Sequence, residues 1–320
     1  MSTEGGTKAV IAALLANTGI AITKFVAAAI SGSASMLAEG VHSLADSGNQ
    51  ILLLVGSRRS KKAADEAHPF GYGRERYVFA FVVSIILFSV GGMFSLYEGI
   101  HKLEAHEELT LPWIPLIVLA VAIVLESFSL RTAVKESNKT RGGQSWVAFI
   151  RRAKQPELPV ILLEDVAALT GLVFAFAGVG LSLLTGDVIW DAIGTIAIGV
   201  LLVAVAVVLG IETKSLLVGE GASRADVEKI RDAFNASERV EALIHMKTLY
   251  LGPDELLVAA KVAVAKATKA ADIARAINEV EKEIREAVPL ARVIYIEPDI
   301  YLPNRSGAPS TDAIVIRGAD

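Results

Sequence analysis

The sequence predicts an α-helical membrane protein with six transmembrane helices, followed by a small α+β domain in the order α-β-β-α-β. Three observations carry that prediction. Hydrophobic residues make up 53% of the 320 positions and charged residues 21%, with a mean hydropathy of +0.51, so the apolar residues must be gathered in blocks. Six blocks reach the roughly 20 residues that a helix rising ~1.5 Å per residue needs to cross a bilayer core. Beyond residue 213 the pattern changes to polar helical periodicity and short runs of strand formers.

The six spans are expected near residues 8 to 31, 33 to 57, 77 to 101, 112 to 135, 158 to 184 and 188 to 213. Turn chemistry separates them: "SGS" after the first, "HPFGYGR" after the second, "LTLPW" before the fourth, "QPELP" before the fifth and "TGD" before the sixth. The N-terminal "MSTEGGTKAV" lacks the charged segment and short apolar core of a cleavable signal, so the first span is expected to be retained. Orientation follows from Lys and Arg. The second connection holds Arg58, Arg59, Lys61, Lys62, Arg74 and Arg76, and the fourth holds Lys139, Arg141, Arg151, Arg152 and Lys154. The positive-inside rule puts both connections, and with them both termini, in the cytoplasm. Within the fourth, "SWVAFIRRAK" reads equally as an interfacial segment or a solvated loop.

Residues 1–213 therefore form the expected transmembrane domain and residues 214–302 a cytoplasmic domain, with residues 303–320 a disordered tail. The cytoplasmic domain opens with a helix capped by Ser223 and Asp226. It continues through "ALIHMKTLYLG" and "LLVAAKVAVA" as strands, "KAADIARAINEVEKEIREAV" as a helix, and "ARVIYIEPDI" as a third strand. Two helices would cover one sheet face and leave the other for a partner. A net charge of −4 with no basic stripe gives no reason to expect nucleic acid as a partner. With no cysteine, thiolate chemistry is excluded, and any metal must be held by nitrogen and oxygen ligands.

The second span carries Glu39, His42 and Asp46 where lipid-compatible residues are expected. Ionisable groups at membrane depth cost several kcal/mol unless they pair or line a pathway. His42 and Asp46 are four residues apart, hence one turn apart on one helix face, a spacing that offers two ligands to one cation. Glu39 can join that face or lie along the route to it, a pathway in which Asn17 and Asn49 are further candidates; the blander reading is that His42 and Asp46 pair with each other, or with Asn17 and Asn49, to hold the bundle together. The fifth span repeats the anomaly with Glu164 and Asp165 in "ILLEDVAALTG". Two helices giving carboxylates plus one imidazole make a nitrogen and oxygen site suited to zinc, manganese, iron(II) or cobalt. Carboxylates so close together repel unless a cation or protons separate them, so such a site is expected to exchange one for the other. Lesser candidates are Glu98 with His101, and Glu126 with Ser127 and Ser129, all read as structural pairs. Asp191 is read as a dipole partner at the start of the sixth span, and His245 as ordinary strand packing.

Together, the six spans, "SGSASMLAEGVHSLADSGNQILLLVG", "HPFGYGRERYVFAF", the polar fifth helix and the α-β-β-α-β domain resemble the cation diffusion facilitator (cation efflux) family over residues 8 to 300. The resemblance implies a homodimer, joined through the cytoplasmic domain, that exports a divalent cation, typically zinc, from the cytoplasm in exchange for protons by alternating access. It implies no enzymatic activity and no resident cofactor, and the expected location is a bacterial plasma (inner) membrane. His42 and Asp46 match the family's transport ligands. In the fifth helix, alignment on Gly171 puts the family aspartate on Asp165 and its histidine on Ile161. The Leu-Glu-Asp form resembles a branch that includes a mitochondrial zinc transporter, with Glu164 as the auxiliary ligand. In the loop motif His68 is present as a secondary candidate, but Tyr72 stands where the second histidine is usual. The family's cytoplasmic metal histidines fall near Lys261, Arg275 and Tyr295, so this domain is expected to dimerise without a metal cluster, its basic side chains pairing with acids across the interface. Two other classes were weighed. An intramembrane metallohydrolase would need a His-Glu-x-x-His pattern that is missing, and a transport-inactive assembly protein would not need His42 and Asp46.

Overall fold

A computed structural model describes residues 18–105, 111 and 113–300. Asn17 and the C-terminal residues 301–320 lie outside the described residues. The chain divides into two compact units, one built from the segments up to Arg59 and Glu75–Lys214, the other from Ser60–Arg74 and the segments from Ser215 onward.

The first unit is helical: α1 (Thr18–Ser31), α2 (Ala34–Arg59), α3 (Glu75–Ile86), a π-helical segment (Leu87–Met93), α4 (Phe94–Ala105), α5 (Trp113–Arg141), α6 (Trp146–Arg152), α7 (Glu157–Thr185) and α8 (Ile189–Val218). Four spans, Glu75–Glu104, Trp113–Arg141, Glu157–Thr185 and Ile189–Val218, are long and apolar enough to cross a membrane, and Thr18–Ser31 is a shorter apolar helix. At 26 residues α2 is as long as a spanning helix, but its ionisable side chains dilute its hydropathy. The helices stop where the chain requires. Gly32 and Gly186 adopt left-handed φ values of 68° and 72°, and each donates its N–H to a carbonyl of the preceding helix, Ala28 and Ser182 respectively. The stretch "SWVAFIRRAK" resolves as the short helix α6, with the Ser145 hydroxyl accepting from the Ala148 N–H and the Arg141 guanidinium 4.3 Å over the Trp146 ring.

Met36, Leu87, Leu119, Leu172, Ile198 and Leu202 form the buried core of this unit, while Ile117, Val121, Val124 and Phe128 of α5 point outward. Such an apolar outer surface fits a lipid surround and would be a liability in water. Glycine allows the closest approaches. A Cβ on Gly199 of α8 would lie 2.8 Å from the Leu96 backbone nitrogen in α4, and one on Gly178 of α7 would lie 2.8 Å from the Trp190 carbonyl in α8.

The second unit has the expected order: α9 (Arg224–Ala236), β1 (Ala242–Gly252), β2 (Glu255–Ala263), α10 (Ala270–Ala287) and β3 (Ala291–Asp299). The Ser223 hydroxyl caps α9 by accepting from the Asp226 N–H, as its sequence predicts. Strand order is β1-β2-β3, with β1 antiparallel and β3 parallel to β2. Alternation along β2 sends Leu256, Val258, Ala260 and Val262 into the core with Phe234, Ile230, Val280 and Ile284 of the helices. Leu257, Ala259 and Lys261 take the opposite face, in register with His245 and Lys247 of β1 and Tyr295 and Glu297 of β3.

His245 packs as an ordinary strand residue, half-buried in β1. It pairs with Lys261 on the open face, where a groove of about 450 Å³ is lined by His245, Lys247, Tyr295 and Glu297 among others. The basic side chains expected to pair with acids also have acidic neighbours within the chain. Lys261 Nζ lies 3.0 Å from Glu297 and 3.1 Å from Asp299 on the neighbouring strand, and Arg275 reaches Asp272 one turn back on α10. Parallel pairing of β2 with β3 aligns Lys261 with Glu297, so the nearest acid is local. Glu297 and Asp299 together push the Lys261 ammonium above its ordinary range.

Candidate functional site

Helix α2 enters the bundle anchored at its first turn. The Asp191 carboxylate, in α8, accepts from the Ser33 hydroxyl at 2.9 Å, the Ala34 N–H at 2.8 Å and the Ser35 N–H at 3.3 Å. Asp191 lies in the first turn of α8, as its sequence position predicts, and also serves as an anionic cap of α2, because the two N-termini meet at one end of the bundle. With its start fixed, α2 presents a polar face of buried Glu39, His42 and Asn49, with Asp46 and Ser43 beside them.

A cavity of about 40 Å³, room for a few waters or one dehydrated cation, is lined by Asp46, Glu126, Glu164 and Asp165, with Lys24, Ser43, Gln50 and Ser129 among its other walls. Carboxylates from α2, α5 and α7 thus share one small polar space inside an apolar bundle. Asn49 donates to Glu164 Oε1 at 2.8 Å, and the Ser129 hydroxyl donates to Asp165 Oδ2 at 3.1 Å. Glu164 and Asp165 are neighbours on α7, yet both reach the cavity: one wall is built by α2 and the other by α5, so the ~100° between successive residues is bridged by two partner helices.

His42 lies just behind this lining. Its Nε2 is 3.5 Å from Asp46 Oδ2, and neither ring nitrogen finds a hydrogen-bond partner among the described residues; the same holds for Asp46 Oδ1. Buried polar atoms without partners are rare, and those on α2, on Glu39, His42, Asp46 and Asn49, include the two residues whose spacing predicts cation ligation. The π-helical segment passes close by. A Cβ on Gly91 would stand 3.9 Å from His42 Nδ1, in ordinary contact, and 3.2 Å from Leu202, so the missing side chain eases the packing against α8 beside the imidazole. Such i→i+5 insertions often accompany functional sites. Among the described residues no three imidazole and carboxylate groups converge at ligation distance, so the donors border a common space without closing on one point.

Glu39 is buried on the α1 side, where Lys24 Nζ lies 2.9 Å from its Oε2 and 2.7 Å from the Ser43 hydroxyl. Sequence reasoning missed Lys24. The signal was a lone ionisable residue inside "GIAITKFVAAAI", which the same rule that flags Glu39 should have flagged. Glu126, read as a structural pair, instead lines the cavity along with Ser129.

His68 lies in the connection between α2 and α3, which belongs to the second unit. Its backbone N–H donates to Asp65 Oδ1 at 2.8 Å and its ring lies 4.3 Å from that of Tyr72, tilted by 35°. The Tyr72 hydroxyl donates to Asp65 Oδ2 at 2.7 Å, while Lys62 Nζ reaches both, at 2.7 Å and 2.9 Å. The Tyr72 and Asp65 bonds hold Lys62 above its ordinary range, and Lys62 followed by Tyr72 holds Asp65 well below the usual carboxylate range. An ammonium thus already faces the Asp65 carboxylate, which lies 3.4 Å from His68 Nδ1.

An apolar helical bundle that encloses a small carboxylate-lined cavity has the build of an integral membrane protein. Residues 10–218 match the cation efflux transmembrane domain, and the chain belongs to the cation efflux family, whose members are transporters and not enzymes. It is 32% identical over 265 residues to the mitochondrial proton-coupled zinc antiporter SLC30A9 of Xenopus laevis, covering 82% of this chain and 47% of that protein. It is 31% identical over 252 residues to the Homo sapiens protein of the same name, covering 78% and 44%, and 30% identical over 248 residues to metal tolerance protein C4 of Arabidopsis thaliana, covering 77% and 54%. The chain thus spans about half the length of these relatives.

Proposed function

We propose that this protein exports a divalent metal cation, zinc first among them, from the cytoplasm in exchange for protons. His42, Asp46 and Asp165 are the ligands in this reading, and Glu164 is the auxiliary one. The observation that carries it is the shared cavity of Asp46, Glu164 and Asp165 with His42 behind it, its nitrogens unpartnered. Proton coupling follows from charge. Carboxylates crowded into an apolar bundle repel one another unless protons or a cation lie between them, so binding one releases the other. Relatives named as proton-coupled zinc antiporters favour zinc over manganese, iron(II), cobalt and cadmium, although a carboxylate-rich ligand set does not by itself exclude those metals.

The remaining parts of the reading are six spans, with α1 and α2 among them, and cytoplasmic termini set by the basic second and fourth connections. A transport domain over 1–213 and a dimerising domain over 214–302 complete it, in a bacterial plasma membrane. Dimerisation is supported by the open sheet face, where Tyr295 is 58% exposed beside the groove. Glu39 and Asn49 line the route to the site. His68 stays in the reading as a secondary loop site, weakened by Tyr72 in place of a second histidine and by the Lys62 ammonium that shares the Asp65 carboxylate.

Zinc uptake into proteoliposomes tests it. Flux should fall at least about tenfold in Asp46→Ala and in Asp165→Ala, and in wild type it should accelerate when an opposing proton gradient is imposed. Unchanged flux in Asp46→Ala would sink the site, and indifference to the gradient would sink the exchange.

A further inference from the structure

Lys24 stands in the same cavity wall as the proposed ligands, on a helix that contributes none of them. Its amine reaches two α2 side chains one turn apart, Glu39 and Ser43, so it straddles the turn that also carries His42 and leads on to Asp46. The clasp is buried. Glu39 is fully buried, and its other oxygen is packed so tightly against α7 that a Cβ on Gly171 would come within 2.7 Å of it. Lys24 is itself buried, with its amine in the same cavity wall as four carboxylates.

We propose that Lys24 is an affinity-setting residue of the cation pathway, a tethered cation that opposes the cargo in the cavity and keeps binding weak enough for release. Resting on the transport-site reading above, this gives α1 a role distinct from ligation. An isolated acidic pocket in an apolar bundle would hold a divalent ion tightly, and a transporter must let it go. Opposing charge within one small, poorly screened space is a direct way to meet that requirement. The competing explanation is purely structural, in which Lys24 serves only to neutralise Glu39, since a buried carboxylate without a partner is costly.

Zinc binding by the full-length protein in detergent, followed by calorimetry, separates the two. Lys24→Met should bind zinc about tenfold more tightly than wild type, and its zinc flux should slow at saturation because release has become limiting. The Lys24→Met/Glu39→Gln double variant removes both halves of the ion pair and leaves no unpaired buried carboxylate, and its reference is Glu39→Gln alone, which has lost the same anion but keeps the amine; the double variant should bind zinc about tenfold more tightly than that reference. Equal affinity in the two overturns the proposal, because the charge of Lys24 would then act on Glu39 alone. Asp46→Asn keeps the two readings apart: if it leaves zinc binding intact, the transport site itself is misassigned; if it abolishes binding while the double variant and Glu39→Gln bind alike, only the role of Lys24 fails.

Discussion

At the residue scale, Asp191 illustrates how one buried carboxylate can fix a helix to which it does not belong. It accepts from two backbone N–H groups and one hydroxyl at the start of α2, and its own N–H donates to the Ser182 hydroxyl at 3.0 Å. Replacing it with alanine strands those donors in a buried setting. We expect Asp191→Ala to lower stability by about 2 kcal/mol, read as a loss of thermal stability in detergent, with Asp191→Asn recovering part of it. Its position in the first turn of α8 was plain from sequence, but the helix it caps was not, because only packing brings residues 33–35 to it. Lys24 and Glu39 make the same point. Each is visible as a charge in an apolar run, while their pairing across 15 positions depends on how α1 and α2 cross. The Lys62, Asp65 and Tyr72 cluster is different in kind. It is local and mostly exposed, so its bonds shift ionisation without adding much stability.

At the element scale, the helices were legible because an apolar block of the right length has only one way to satisfy its backbone in lipid. Their limits were less legible. Helices α5 and α8 run on to Arg141 and Val218, beyond the apolar blocks, since "KESNKTR" and "ETKSLLV" are helix-compatible once the preceding turns are set. The π-helical segment Leu87–Met93 left no periodic trace, and only the Gly91-Gly92 pair hinted at a special packing site. Glycine governs how closely α8 approaches its neighbours. Gly199 faces Leu96, Gly92 faces Val203 and Gly99 faces Ile196, each with room for no more than a hydrogen. A methyl at Gly199 would press on the Leu96 backbone, which cannot rotate away as a side chain can. Gly199→Ala should cost about 1–3 kcal/mol and reduce zinc flux by separating α4 from α8, measured as lowered thermal stability together with lowered transport. Wild-type values in both assays would mean that the two helices can part without consequence.

At the scale of the whole molecule, the reading is of a dimeric exporter whose cytoplasmic domain needs no metal to assemble. Lys261 and Arg275 place positive charge on that domain and find their acids within the chain, so they neither attract a cation nor require one. Full-length protein in detergent should therefore remain dimeric in excess chelator, by light scattering, and monomers that pair only on zinc addition would contradict this. What the sequence by itself determined is the class of solution: spanning helices, the α-β-β-α-β domain, and the two polar islands on the second and fifth spans. Those features follow from local rules of hydropathy, periodicity and spacing, which act within a few turns of chain. Only the tertiary structure decided that Glu126 joins Asp46, Glu164 and Asp165 around one cavity, that Asp191 caps α2, that Lys24 is clasped by Glu39, and that His245 faces outward. These depend on which faces of separate helices and strands meet, and that is set by packing between elements distant in sequence, where small residues such as Gly171, Gly178 and Gly199 fix how near the backbones can come.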